Sequence, residues 1–268
     1  MPESLKPLTD GINALTAYAN EVTGESDTTL SEAVHTLADG YGQGGGDSIW
    51  NKIVDRTVTE INDKDGLCET VGDYAFYHCT SLTSVFLPSA TSVGNYAFHS
   101  CTKLSSVDLP HTTSVGNYAF PSCTKLSSVD LPHTTSVGKN GFYGCTKLSF
   151  ISLPSATTLG SSVFTYCSAL TIADFPNVAI IVAFVFYRCS ALKALILRKS
   201  DSICTLSSTN AFDDTPIKSG TGYIYVPASL IETYKTASQW STFAAQFRAL
   251  EDYTVDGTIT GDLDPNKI

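Results

Sequence analysis

Charge is scarce in this chain. Only 16% of its 268 residues are charged, and 26 acidic residues outnumber 16 lysines and arginines, for a net charge of −10. That sign argues against a nucleic-acid partner, because affinity for a phosphate backbone comes mainly from Lys and Arg displacing counterions. No apolar run approaches the roughly 18–20 residues that cross a bilayer, so no membrane insertion is expected. The opening MPESLKPLTDGINALTAYAN has neither a basic start nor an apolar h-region, so no signal peptide is visible. There is also no C-x-x-C pair, G-x-S-x-G, P-loop or H-E-x-x-H, and no polar constellation interrupts the pattern of the chain. Neither an enzyme nor a cofactor is expected. Two near-motifs fail on context. Gly40-Tyr41-Gly42-Gln43-Gly44-Gly45 satisfies G-x-G-x-x-G but follows a helical pattern and precedes no βαβ unit, so it reads as a flexible hinge. Asp63-Lys64-Asp65-Gly66 resembles part of a calcium loop, yet the first and twelfth ligand positions would be Ile61 and Gly72, so it reads as a turn.

What the chain does have is repetition. Residues 93–114 and 115–136 differ at one position, His99 against Pro121. Phe recurs every 22 residues from Phe76 to Phe186, Cys from Cys79 to Cys189 and Leu from Leu82 to Leu192, while Pro88 to Pro176 close the units until Arg198 breaks that column. A fixed period between roughly 20 and 29 residues, carrying an L-x-x-V-x-L segment, is the leucine-rich-repeat signature. The expected fold is an α/β solenoid of short parallel strands stacked with a 22-residue period. In Leu104-Ser-Ser-Val107-Asp-Leu109 the alternation puts Val107 and Leu109 inside, with Ser106 and Asp108 outside. Gly94 is expected in a tight turn, and Ala97 and Phe98 fill the opposite wall.

The pattern V-G-x-Y-A-F-x-x-C-T-x-L-x-x-V-x-L-P resembles the BspA-like leucine-rich-repeat family over residues 71 to about 212. Tyr223-Ile-Tyr-Val-Pro227, followed by Leu230, Tyr234, Trp240, Phe243 and Phe247, is similar to the strand-and-helix terminator of such arrays. The resemblance implies a surface-displayed binding or adhesion protein. The expected division is a helical segment and Gly-rich linker at 1–46, an N-terminal cap at 47–70, repeats at 71–219, a strand-helix C-terminal cap at 220–251 and a tail at 252–268.

Six of the eight cysteines share one phase and should face the interior as small buried hydrophobes. A cross-link between neighbouring coils and a metal site are the alternatives, with no metal the favoured reading. Cys68 and Cys204 lie outside that column and their roles stay open. His78, His99, His111 and His133 fall in phases expected to face solvent.

Before the array, Leu5, Leu8, Ile12, Leu15, Ala19 and Val22 follow heptad spacing, and Thr29-x-x-Glu32 forms a capping box for a second short helix. The segment is either a helical hairpin or an oligomerising stalk, with a homotrimer through residues 5–22 as one outcome. It resembles the leaders of prophage-encoded tail or surface proteins, which implies a virion location on a phage tail; the alternative is a bacterial cell-surface adhesin or a passive spacer. The expected partner is a host surface protein or glycan.

A binder built on a constant scaffold should recognise its ligand where the units differ. The positions after each Phe vary most and supply Tyr77, His78, His99, Tyr143, Tyr166, Tyr187 and Arg188 as candidates. The outward strand positions add Phe86, Asp108, Asp130, Phe150, Ile172 and Asp174. Phe150, Ile172 and Ile196 should form an apolar stripe that either binds something or is covered by the terminator.

Overall fold

The computed structural model describes residues 56–64, 66, 68–255 and 258–259. The helical leader, its heptad seam at 5–22 and the Gly-rich stretch at 40–46 lie outside those residues, as does most of the acidic tail.

Each coil has three walls. The first is a row of three-residue strands, at Glu60–Asn62, Ser84–Phe86, Ser106–Asp108 and Ser128–Asp130, and then at Phe150–Ser152, Ile172–Asp174 and Ala194–Ile196. They are parallel and in register, Val85 opposite Val107 and Val107 opposite Val129, as a strict 22-residue repeat requires. The second is a row of two-residue strands running from Thr70–Val71 to Thr158–Leu159, followed by Ile180–Ile181 and Thr205–Leu206. The third is a wall of turns without strands, closed by amides that reach the next coil: Tyr74 N–H to Asn95 O, Phe76 N–H to Ala97 O and His78 N–H to His99 O. The same three bonds recur one coil on, from Tyr96, Phe98 and Ser100.

The interior is built of matched columns. Phe76, Phe98, Phe120, Phe142, Phe164, Phe186 and Phe212 stack ring on ring, with centroids between 4.9 and 5.8 Å apart. Burying each ring contributes about 1.5–3 kcal/mol, and each aromatic pair about 0.5–1.5 kcal/mol more. A coil alone could not collect this, because its flat sides are covered only by its neighbours. The cysteines of the column are free thiols buried beside the rings. From Cys101 to Cys189 each donates to the phenylalanine carbonyl of the preceding coil, Cys101 to Phe76 O at 3.1 Å and Cys167 to Phe142 O at 3.1 Å. A thiol therefore fits this phase both as a small apolar group and as a donor. Burial, the dominant cause, pushes the thiols of Cys79, Cys123 and Cys167 up to about 12.

Hydroxyl ladders explain how so few charges suffice. Thr112 and Thr134 are fully buried, and their hydroxyls donate to the carbonyls of Ala90 and Thr112, each at 2.8 Å. On the surface, Thr113 and Thr135 repeat the bond to the residue 22 positions earlier. Glycine has a different role from the turn expected of it. A Cβ on Gly94, Gly116, Gly138 or Gly160 would lie 2.5–2.7 Å from backbone of the preceding coil, so glycine here permits close approach between coils. The first side chain at this phase is Val182. The two-residue ladder stops at Thr158–Leu159, the coil before it, and resumes at Ile180–Ile181.

Cys68 and Cys204 have structural places. Cys68 stands two residues before Thr70, as Ala90 stands before Ser92, in a second inner column, and its amide donates to the buried Asp63 carboxylate at 2.7 Å. Gly66 N–H returns to Asp63 O, which makes that near-motif a turn. Cys204 docks the terminator: its amide donates to Tyr234 Oη at 2.8 Å and its carbonyl accepts from Trp240 Nε1 at 2.7 Å. The terminator continues the first wall through Tyr223–Val226 and Phe247–Ala249. Trp240 and Phe243 close over Phe212, ending the stack.

Candidate recognition surface

The wall of turns carries the variable side chains, and its backbone dictates how they point. Two residues per coil adopt the left-handed conformation. Tyr74, Tyr96, Tyr118, Asn140, Ser162 and Phe184 form one column, with φ between 52° and 61°. His78, Ser100, Ser122, Gly144, Tyr166 and Arg188 form the other, flanked by Arg56 and Asp214 in the same conformation. A non-glycine residue gives up about 1–2 kcal/mol there. The inter-coil amide bonds described above offset that cost, and because the feature recurs in every coil it belongs to the turn rather than to one site.

At the N-terminal end the rings of Tyr74, Tyr96 and Tyr118 are parallel within 3°, with centroids 5.0 and 4.9 Å apart. Beside them Tyr77 lies 4.3 Å from His78 and 4.9 Å from His99, and the two imidazoles are 5.4 Å apart. The guanidinium of Arg56 lies 5.9 Å from the centre of the Tyr77 ring. Partial burial first, and then the neighbouring His78, lower the pKa of His99, whose Nδ1 is 2.9 Å from Ser100 Oγ. His78 and His99 are thus half-buried members of a cluster, whereas His111 and His133 are exposed on another side.

At the C-terminal end the rings meet edge to face. Tyr143 and Tyr166 are 5.3 Å apart at 67°, Tyr166 and Tyr187 are 6.0 Å apart at 81°, and Phe184 meets Tyr187 at 82°. This geometry leaves ring faces open. Arg188 occupies two of them, its guanidinium 5.3 Å from the centres of Tyr166 and Tyr187, while Nε donates to Asp214 at 3.2 Å. Between the clusters the wall is bare, with Pro121 buried and followed by Ser122 and Gly144. Thr165, at a varying position, is also internal and donates to Phe184 O at 2.6 Å.

On the strand wall Asp108 and Asp130 are exposed and directly opposite one another, and Phe86 is half-buried opposite Asp108. The apolar stripe divides. Phe150 is 49% exposed, but Ala194 and Ile196 are buried, and Ile172 is half-buried in a small cluster with Tyr223, Tyr225 and Leu250 of the terminator. Asp174 departs from expectation most: it is 7% exposed and held by Arg198, with Nε at 3.0 Å from Oδ1 and Nη2 at 2.8 Å from Oδ2. The residue that broke the proline column is the partner of this aspartate, so Asp174 is not an open contact, and Ile172 is half covered.

The sequence reading missed Tyr74, Tyr96, Tyr118 and Phe184. The signal was a tyrosine recurring two residues before Phe76, Phe98 and Phe120; a left-handed turn there is hard to anticipate, because tyrosine rarely marks one.

Among the described residues no group of three or more His, Cys, Asp and Glu side chains could hold a metal ion, and no helix is long and apolar enough to cross a membrane. No curated protein matches the chain. Among solved structures it is similar to a leucine rich cell surface protein from Faecalibacterium prausnitzii A2-165, at 24% identity over 64% of this chain and 55% of that one, with TM-score 0.45. It is also similar to the leucine rich repeat protein of T. pallidum, at 29% identity over 42% and 58% with TM-score 0.41, and to the pneumococcal vaccine antigen PcpA, at 16% over 69% and 38% with TM-score 0.44. The chain spans about half the length of the first two of these structures. The family model for the BspA type leucine rich repeat region matches in six copies, over residues 69–193 and 113–237, together more than half of the chain. Its stacked coils are those of a leucine-rich-repeat scaffold, and the protein belongs to the BspA type leucine-rich-repeat family.

Proposed function

We propose that the protein is an adhesion module of a bacterial cell surface, holding a host surface protein or glycan on its wall of turns. One observation carries this reading: the interior columns are nearly invariant from coil to coil, while the wall of turns gathers aromatic, imidazole and guanidinium groups into two clusters of different geometry. Rigid aromatic side chains give contact area at low entropic cost, and two groups of them lie on one wall of a stiff rod. Membership of the BspA type family supports display at a cell surface.

Display on a phage tail is the second reading, supported by the likeness of the leader to those of prophage-encoded proteins. A gene neighbourhood of virion structural genes would favour it, and a neighbourhood without them removes it. Trimerisation through residues 5–22 belongs with that reading, and the solution mass with and without residues 1–46 tests it. For the main proposal the experiment is a screen of host glycans and surface proteins with the full chain and its Tyr96→Ala and Tyr166→Ala variants. Binding that weakens in at least one variant is expected. A chain that retains no ligand in the screen is a spacer.

A further inference from the structure

A line of positive charge runs along one corner of the rod. Lys103, Lys125 and Lys147 occupy the same phase of three consecutive coils and all three are exposed. The coil spacing at this point is marked by the Phe98–Phe120 and Phe120–Phe142 stacks, at 4.9 and 5.2 Å. Three ammonium-bearing stems therefore leave the surface one coil apart, parallel to the rod axis. Among the described residues none of the three forms an ion pair, although the chain carries a net charge of −10.

The fold does not need this row. The same phase is Ser81 in the coil before, and Ala169 and Ala191 in the coils after. Like charges facing each other on neighbouring strands or coils are destabilising. Recent duplication accounts for Lys103 and Lys125 together. It does not account for Lys147, whose coil has changed its strand from Ser-Val-Asp to Phe-Ile-Ser while keeping Cys-Thr-Lys-Leu-Ser.

The surroundings define what such a row fits. On its strand side lies a column of exposed hydroxyls, Ser105, Ser127 and Ser149. The first two donate backward to the carbonyls of Thr83 and Ser105, which leaves their oxygens free to accept from outside. Asp108 and Asp130 lie five residues further along, on the strand wall, and they repel an anion that drifts across the sheet. Double-stranded nucleic acid, with one charge per ≈1.7 Å, is far denser than one cation per coil. A chain of sugar rings, each ring advancing by about the coil spacing and each bearing a carboxylate, matches both the charge row and the hydroxyl row.

We propose that this corner binds a linear acidic polysaccharide with one carboxylate per sugar, laid along the rod so that consecutive carboxylates meet Lys103, Lys125 and Lys147. The proposal rests on the adhesive reading above and names a ligand class for it.

The test is binding of the full chain to polygalacturonate, with dextran as neutral polymer and polyphosphate as a second polyanion. Two variants carry equal changes of net charge: K103Q/K125Q/K147Q at the corner, and K64Q/K139Q/K235Q at lysines outside it. The wild type is expected to bind polygalacturonate but not dextran, and binding should weaken as salt rises. The corner variant should lose about tenfold or more in affinity and the control variant about twofold or less, since only close contacts survive screening beyond a Debye length. Equal losses in both variants, or no binding to polygalacturonate, overturn the proposal. Tighter binding to polyphosphate overturns the choice of carboxylate. A protein that holds a host receptor through its tyrosines but ignores polygalacturonate sinks this inference and leaves the adhesive reading standing. Thermal melting of the corner variant at or above the wild-type temperature excludes misfolding as the cause.

Discussion

The coils between residues 71 and 137 and those between 150 and 206 share one plan and hold together differently. In the first group every wall repeats: tyrosines stack in parallel, glycines admit the neighbouring backbone, and aspartates face aspartates on an open strand wall. In the second group the two-residue ladder is interrupted, the turn-wall rings meet at angles, and the strand wall is partly roofed by Tyr223, Tyr225 and Leu250. Regular coils draw stability from neighbours identical to themselves. Irregular ones depend on particular partners such as Arg198 and Trp240. Copying is thus tolerated in the first group, and the second is tied to the terminator.

The largest effects should come from breaking the stack. Phe120→Ala in the regular half and Trp240→Ala in the terminator should each cost about 3–5 kcal/mol by denaturant unfolding. If the halves differ as described, Phe120→Ala lowers hydrogen-exchange protection on both sides of its coil, and Trp240→Ala lowers it first at residues 204–250. Protection lost uniformly in both variants would show that the rod unfolds as a single unit.

A paired substitution separates the aspartates. Asp174→Ala leaves the Arg198 guanidinium largely buried without its carboxylate, and should cost about 2 kcal/mol, less than a fully buried pair because Arg198 reaches solvent. Asp130→Ala removes one of two facing like charges, and should be neutral or stabilising by a few tenths of a kcal/mol. Equal losses for the two would contradict the roofing of the second half.

The thiol column gives a pH dependence. The folded thiols of Cys123 and Cys167 stand near 12, against an ordinary value of 9.0. Above pH 9 the unfolded chain loses these protons and the folded one keeps them. Their contribution is therefore fully present below pH 9 and declines as pH rises toward 12, by about 1.4 kcal/mol per pH unit for each thiol. Cys123→Ala should make the alkaline decline shallower by one thiol, measurable as unfolding midpoint against pH.

The smallest contrast concerns the glycine phase. Gly116→Ala forces a methyl into the backbone of Gly94 and Asn95 and should cost about 1–3 kcal/mol, whereas Val182→Ala, at a partly buried side chain where the ladder is interrupted, should cost about 1 kcal/mol or less. Reversal of that order would dissociate the interrupted ladder from Val182.

Much of this was legible in the chain before folding. Phe98, Cys101, Leu104, Val107 and Leu109 all stand inside, because each recurs at a fixed interval and the alternation of a strand leaves little choice of face. What was not legible depended on partners distant in sequence. Asp174 reads as open since its phase is open at Asp108 and Asp130; Arg198 binds it, and the buried Ile196 stands opposite it on the next strand. Glycine was assigned to a turn, whereas it answers to the backbone of another coil 22 residues away. The tyrosine column was overlooked because its left-handed backbone leaves no mark on residue type.

The amide bonds that join each coil only to those beside it have a consequence for reach. Inserting another copy of residues 93–114 changes no existing pair of touching side chains except at the splice, yet it carries the cap one step of about 4.9 Å further from the first coil. Replication slippage at this near-perfect duplication therefore works as a ruler: each copy lengthens the row of stacked tyrosines by one coil and sets the Tyr187 group one step further from Tyr74, and so which spacing of epitopes a cell or virion can straddle.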